Sequence, residues 1–96
     1  MMAPARSNPT RQIRRRELEQ FRQRIESWGR QGQEAGRDGD AELAAGYAED
    51  VADLRAILRL IVTRELHEAA EVVDCLDTLA RDLIPTGLYG AIVPGT

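Results

Sequence analysis

One helical pattern in the second half of the chain limits its fold more than any other feature. From Leu43 to Leu83, apolar residues follow one another at steps of three and four, and no glycine or proline interrupts residues 47–84. Such steps place side chains on one face of an α-helix. Pro85 predicts its end, because proline lacks a backbone N–H and disfavours helix in the preceding residue. The pattern predicts a helix of about forty-four residues and roughly 65 Å.

A shorter helix is predicted near the start of the chain. Thr10 is a candidate N-cap, because its hydroxyl can accept a hydrogen bond from a first-turn amide. Apolar residues then follow at steps of three, four and three, which predicts a helix over about residues 10–28. These residues are Leu18, Phe21, Ile25 and Trp28. Trp28 is expected to form a hydrophobic lid at the end of this helix.

The segment between the two helices is rich in glycine. Gly29, Gly32, Gly36 and Gly39 would lie on one stripe of a helix, where small residues allow close helix packing. Each glycine also destabilises a helix interior by about 1 kcal/mol relative to alanine. The sequence therefore favours a loop over residues 29–39, with a glycine-striped helix as the alternative. Asp38 and Asp40 are then candidate N-caps of the long helix.

The long helix carries an apolar stripe that the shorter helix cannot cover. We therefore predict an all-α fold: a helical hairpin of short helix, glycine-rich loop and long helix, assembled with other copies into a homodimer or larger helical bundle. The alternative is a break near Thr63, which would give three helices in a self-contained monomer. The predicted oligomer interface consists of Val51, Leu54, Leu58, Ile61, Val62, Leu66, Val73 and Leu76.

Three segments are expected: a flexible arm over residues 1–9, the hairpin domain over 10–84, and an apolar tail over 85–96. The tail carries large apolar side chains, although a chain end is usually polar. The free energy gained by burying these side chains nearly equals the entropic cost of ordering the tail. This predicts a loosely held tail that can dock on a partner. The alternative is a tail folded onto its own bundle. The predicted partner-binding residues are Leu88, Tyr89, Ile92 and Val93.

Charge is distributed unevenly along the chain. All thirteen basic residues are arginine, and residues 1–30 hold eight of them against three glutamates. The remaining residues carry a large acidic excess. An arginine-rich front could contact phosphates, although a solvated or internally paired helix face has the same composition. The candidate nucleic-acid contacts are Arg11, Arg14, Arg15 and Arg16.

No residue pattern points to catalysis or to a cofactor. His67, Glu71 and Asp74 share a helix face, but Arg64 stands where a second metal ligand would be needed. The acids from Asp38 to Glu49 fit a calcium loop poorly, because Leu43 occupies its glycine position. Cys75 has acidic neighbours, which disfavour a reactive thiolate and leave a small residue at a helix contact as the simpler reading. We expect no catalytic residue, metal or cofactor.

The predicted function is therefore non-enzymatic. With one cysteine and neither a signal peptide nor a membrane-spanning run, the chain is expected to be a cytoplasmic protein that binds other proteins as an adaptor, assembly factor or regulator. One alternative is a nucleic-acid-associated regulator that uses the arginine-rich first helix. Another is an acidic helical inhibitor of a nucleic-acid-binding partner.

Overall fold

The computed structural model describes residues 13–93, and all regular secondary structure in that range is helical. This confirms the all-α fold class. Thr10 and the predicted arm of residues 1–9 lie outside the described residues. The five helices are α1 (Arg15–Arg37), α2 (Ala41–Val62), α3 (Leu66–Cys75), α4 (Thr78–Arg81) and α5 (Thr86–Ile92).

Helices α1 and α2 form an antiparallel hairpin, and the glycine-rich segment is part of α1. The predicted loop is therefore wrong for residues 29–37, where the glycine-striped helix is the observed structure, and only Asp38 and Gly39 of that segment lie in a turn. Gly32 is buried, and a Cβ at this position would lie only 2.7 Å from the Cβ of Tyr47. The missing side chain lets the two helices approach closely, and this packing offsets the low helix propensity of glycine.

A three-residue turn joins the two helices. Gly39 has φ +88°, a left-handed conformation that glycine adopts without steric strain. The amide of Asp40 donates to the carbonyl of Ala35 at 2.9 Å, which closes the end of α1. The Asp40 carboxylate then accepts a hydrogen bond from the Leu43 amide at 3.0 Å. Asp40 is thus the N-cap of α2, as the sequence predicted.

The predicted long helix is broken at Thr63–Glu65, so the alternative of a break near Thr63 is correct. Arg64 has φ +66° in this turn. The Arg64 amide donates to the carbonyl of Ile61 at 3.0 Å, and the Glu65 amide donates to that of Leu60 at 2.8 Å. This is a Schellman-type helix end, with arginine where glycine is usual.

Replacing Arg64 with glycine is expected to raise the free energy of unfolding by about 1 kcal/mol. A non-glycine residue in the left-handed region is strained by about 1–2 kcal/mol, and glycine removes most of that strain. Urea unfolding of Arg64→Gly measures the gain. The control is Arg59→Gly, which lies inside α2 and should lose about 1 kcal/mol. A loss of stability in Arg64→Gly would show that the turn does not hold this strained conformation.

A second break follows α3. Leu76 is extended, with ψ 148°, and Asp77 accepts a hydrogen bond from the Ala80 amide at 2.8 Å as the N-cap of α4. Pro85 does not end a long helix, since α4 already ends at Arg81. It is instead the N-cap residue of α5. The chain after residue 62 is thus three short helices instead of the continuation of one.

The short helices α3, α4 and α5 pack against the half of the hairpin away from its turn, here called the base, and form the core with it. The large side chains with almost no exposed surface are Phe21, Ile25, Leu54, Ile57, Ile61, Val73 and Leu88. The outer half of the hairpin, residues 29–50, is called here the hairpin tip. Its buried residues are only Gly32 and Ala35. The base of the hairpin therefore has a proper core, and the tip is held by two helices alone.

The apolar stripe of α2 and α3 is covered within one chain, so its burial does not require a homodimer or larger bundle. Five of the eight predicted interface residues are buried there, Leu58 and Leu66 are half-buried, and Val62 is exposed. Self-association thus stays a prediction without structural support. The five buried residues are Val51, Leu54, Ile61, Val73 and Leu76.

Residues 86–92 of the predicted docking tail form α5. Leu88 and Ile92 of α5 are buried, while Tyr89 and Val93 are half-buried against the same core. The tail thus folds onto its own bundle, which was the alternative expectation. Docking of Leu88 or Ile92 on a partner would require α5 to leave the core.

Candidate functional site

A groove of about 490 Å³ lies beside the hairpin tip and collects negative charge. Its acidic residues come from the N-cap of α2, from α2 itself and from the N-cap of α4. Among the described residues that line it, none is basic. We call it the acidic groove, and its carboxylates belong to Asp40, Glu42, Glu49, Asp50 and Asp77.

The same groove has an apolar part. Leu43 and Leu79, which line it, are 50% and 68% exposed, among the largest exposures of apolar side chains in the described chain. The rings of Trp28 and Tyr47 meet edge to face, with centroids 4.8 Å apart. Exposed leucines and aromatic rings beside carboxylates form a surface that can hold a side chain with an apolar stem and a cationic head.

Asp50 lies where the apolar and acidic parts meet. The indole N–H of Trp28 donates to its carboxylate at 3.3 Å. Burial raises the pKa of Asp50, the neighbouring charges of Asp77, Asp53 and Glu49 raise it further, and the hydrogen bond from Trp28 opposes them. The ionised carboxylate is therefore poorly compensated, so a cation entering the groove would stabilise it.

A second groove, of about 460 Å³, runs between α1 and α2 at the base of the hairpin. It has the opposite charge, with three arginines and a single glutamate along its walls. Its floor is apolar, and Val62 in it is 59% exposed. We call it the basic groove, and its lining residues are Arg22, Ile25, Glu26, Arg55, Leu58, Arg59, Val62 and Thr63.

The candidate nucleic-acid contacts are separate from the apolar floor of this groove. Arg14, Arg15 and Arg16 are exposed at the start of α1, whereas Arg11 lies outside the described residues. Another arginine of the first helix has a structural partner: Arg24 donates to the carbonyl of Leu83 at 3.2 Å. The arginine-rich start of the chain therefore accounts for only part of the positive surface, since Arg55 and Arg59 of the basic groove belong to α2.

The histidine with its neighbouring acids and the cysteine, which were considered for metal binding and reactivity, lie on α3. The His67 Nε2 atom is 3.6 Å from a carboxylate oxygen of Glu71, and both side chains are largely exposed. Within residues 13–93, no three His, Cys, Asp or Glu residues are arranged to hold a metal ion. Cys75 is exposed instead of lying at a helix contact, and its thiol donates to the carbonyl of Glu71.

Sequence reasoning missed both grooves. A partial signal was present, because Leu43, Gly46, Tyr47 and Asp50 follow at helical spacing and lie along one side of α2. The contribution of Leu79 could not be found, since it depends on the breaks that bring α4 beside α2.

Comparison with known proteins gives no assignment. No protein family, no curated protein and no solved structure shows significant similarity to the chain. Of the helices between residues 13 and 93, none is both long and apolar enough to cross a membrane.

Proposed function

We propose that this protein acts by binding another protein, and that the acidic groove holds a partner segment with both basic and apolar side chains. The observation that carries the proposal is the combination of five carboxylates with two exposed leucines and an aromatic pair. Lysine or arginine side chains of a partner would meet the carboxylates, while neighbouring apolar side chains would cover Leu43 and Leu79.

The contribution of each part follows from its chemistry. Exposed ion pairs at the rim of an interface add little affinity, but they speed association and select the partner's charge. Most of the affinity would come from covering the leucines and the ring faces, because full burial of a leucine is worth about 1.5–3 kcal/mol. Trp28 also offers its ring to a cation, an interaction that strengthens when water is excluded.

Basic segments of this kind are common on nucleic-acid-binding surfaces, so an acidic inhibitor of a nucleic-acid-binding protein is one form of the proposal. A direct contact of Arg14, Arg15 and Arg16 with phosphate is the alternative. It predicts binding to duplex DNA that weakens steeply as the salt concentration rises and is lost when all three become alanine.

Titration with a peptide of arginine and leucine at helical spacing tests the main proposal. Trp28 is the single tryptophan of the chain, so its fluorescence reports directly on the groove. We expect a saturable change in emission, and calorimetry of Leu79→Ser should show binding weakened by about tenfold because apolar burial is lost.

The matched control is Val62→Ser, which also changes an exposed apolar residue but lies outside the acidic groove. Its affinity for the same peptide should stay within about twofold of the parent chain. A peptide with glutamate in place of arginine should not bind in this groove, so any emission change that it causes should be the same in the parent chain and in Leu79→Ser. Equal losses in the two variants, or a glutamate peptide that Leu79→Ser weakens as much as the arginine peptide, would contradict the proposal.

A further inference from the structure

We propose that the basic groove is a second docking surface, and that it takes an acidic amphipathic helix of a partner protein. Its charge is the first reason. Arg22, Arg55 and Arg59 line the groove against Glu26 alone. Arg55 and Arg59 form no ion pair with any residue between 13 and 93, and Arg22 meets only the exposed Glu19 at 3.7 Å.

The apolar floor is the second reason. Val62 is 59% exposed, Leu58 beside it is half-buried, and Ile25 closes the floor from α1. Arginine stems can cover part of such a surface while their guanidinium groups stay in solvent. An occupant that fits must therefore bring apolar side chains to the floor and carboxylates to the rim, where guanidinium groups can bind them with two hydrogen bonds.

The length of the groove indicates a helix. Past Arg55 it continues into a groove of about 510 Å³ between α1 and α2, which shares that arginine. This continuation is lined mainly by small residues, which let a helix approach closely. From Ala44 to Val62 the two grooves follow α2 for about 27 Å, the length of five helical turns. An amphipathic helix lying along a hairpin in this way is a common mode of peptide recognition.

Two other occupants fit less well. Nucleic acid would use the arginines for its phosphates, but no aromatic ring lines the groove beside them, and phosphates have no use for the apolar floor. The ring of Tyr47, in the continuation, already packs against Trp28. A second copy docked through the same groove by two-fold symmetry would place like surfaces together. With the two-fold axis at the basic groove, its arginines would face those of the other copy, which is unfavourable.

The experiment uses the full chain and a labelled synthetic helix of leucine, alanine and glutamate, about five turns long. Its fluorescence anisotropy should rise saturably with protein concentration and fall as salt is added. The double variant Arg55→Gln with Arg59→Gln should bind the synthetic helix at least about fivefold more weakly than the parent chain. Val62→Ser should also lose about fivefold, because the floor loses apolar contact.

The matched control is Arg30→Gln with Arg37→Gln, which removes two exposed arginines of α1 that do not line the groove. It should bind the helix within about twofold of the parent chain. Circular dichroism of each variant checks that the fold is kept. None of the substituted residues lines the acidic groove, so the effects of these variants are independent of the proposed function.

Three results would overturn the proposal. One is the absence of saturable binding, or an equal loss in the control. The second is a duplex DNA or RNA that binds more tightly than the helix, needs Arg55 and Arg59, and is unaffected by Val62→Ser, since the groove would then be a nucleic-acid site. The third is light scattering that shows a dimer dissociated by Val62→Ser, which would assign the groove to a second copy.

Discussion

Replacing Leu88 with alanine is expected to lower the free energy of unfolding by about 3 kcal/mol. Leu88 belongs to α5, is fully buried and lies in the same core as Phe21 and Leu54. Truncating a buried leucine removes its transfer free energy and leaves a cavity, which together destabilise proteins by about 2–5 kcal/mol. Urea or thermal unfolding monitored by circular dichroism measures the change.

Leu79→Ala is the matched control for this prediction, because Leu79 is 68% exposed and the chemical change is the same. Its effect should stay within about 0.5 kcal/mol. If Leu88→Ala behaved like Leu79→Ala, α5 would not belong to the core. The tail would then be free to dock on a partner, as the sequence suggested.

Replacing Gly32 with alanine is expected to place the free energy of unfolding about 1–3 kcal/mol below that of the equivalent change at Gly36. A Cβ at Gly32 would lie 2.7 Å from the Cβ of Tyr47, so α1 and α2 would have to separate. Overpacking of this kind destabilises proteins by about 1–3 kcal/mol. At Gly36 a Cβ would meet Ala44 at an ordinary 3.7 Å.

The helix-propensity gain is about 1 kcal/mol for Gly32 in the helix interior and smaller for Gly36 in the last turn. Propensity alone would therefore make Gly32→Ala the more stable variant, so a lower stability reports the steric contact at Tyr47. Chemical denaturation of the two variants side by side measures the difference. The emission of Trp28, which touches Tyr47, should also change in Gly32→Ala and stay unchanged in Gly36→Ala. Equal stability of the two variants would mean that the helices do not approach closely at Gly32.

The apolar stripes correctly predicted the positions of two helices, although the second stripe continues past the helix ends at Val62 and Cys75. The stripe from Leu18 to Trp28 marks the first half of α1, and that from Leu43 onward marks α2. The sequence favours a loop for the glycine segment because the low helix propensity of glycine is a local property of the residue. The stabilising contribution of Gly32 is instead a close contact with Tyr47 of the other helix. That contact exists only after the hairpin has closed, so no local pattern reveals it.

The break near Thr63 is only the alternative that the sequence offers, because residue types indicate it weakly. Glycine and asparagine are the usual residues in the left-handed position at a helix end, and the chain has arginine there. Folding back lets Ala69 and Val73 of α3 cover the stripe of α2 within one chain. The burial gained by the whole bundle thus outweighs the strain of one residue, and helix periodicity carries no information about that balance.

The breaks after α2 and α3 also bring together the residues of the acidic groove. The acidic groove needs Asp77 and Leu79, which reach α2 only after the chain has turned twice. The sequence held the charges of both grooves, and their separation into an acidic side and a basic side is a property of the hairpin. Most arginines do lie in the first thirty residues. The basic groove nevertheless takes two of its three arginines, Arg55 and Arg59, from α2.

The absence of large buried side chains in the hairpin tip affects how the protein moves. A segment with few buried apolar contacts opens locally at a lower free energy than the whole molecule unfolds. The tip should therefore fray and reclose many times while the base stays intact, and its amide protons should exchange with solvent faster. Much of the acidic groove lies on this softer part, so an occupant would also slow the opening of the segment that holds it.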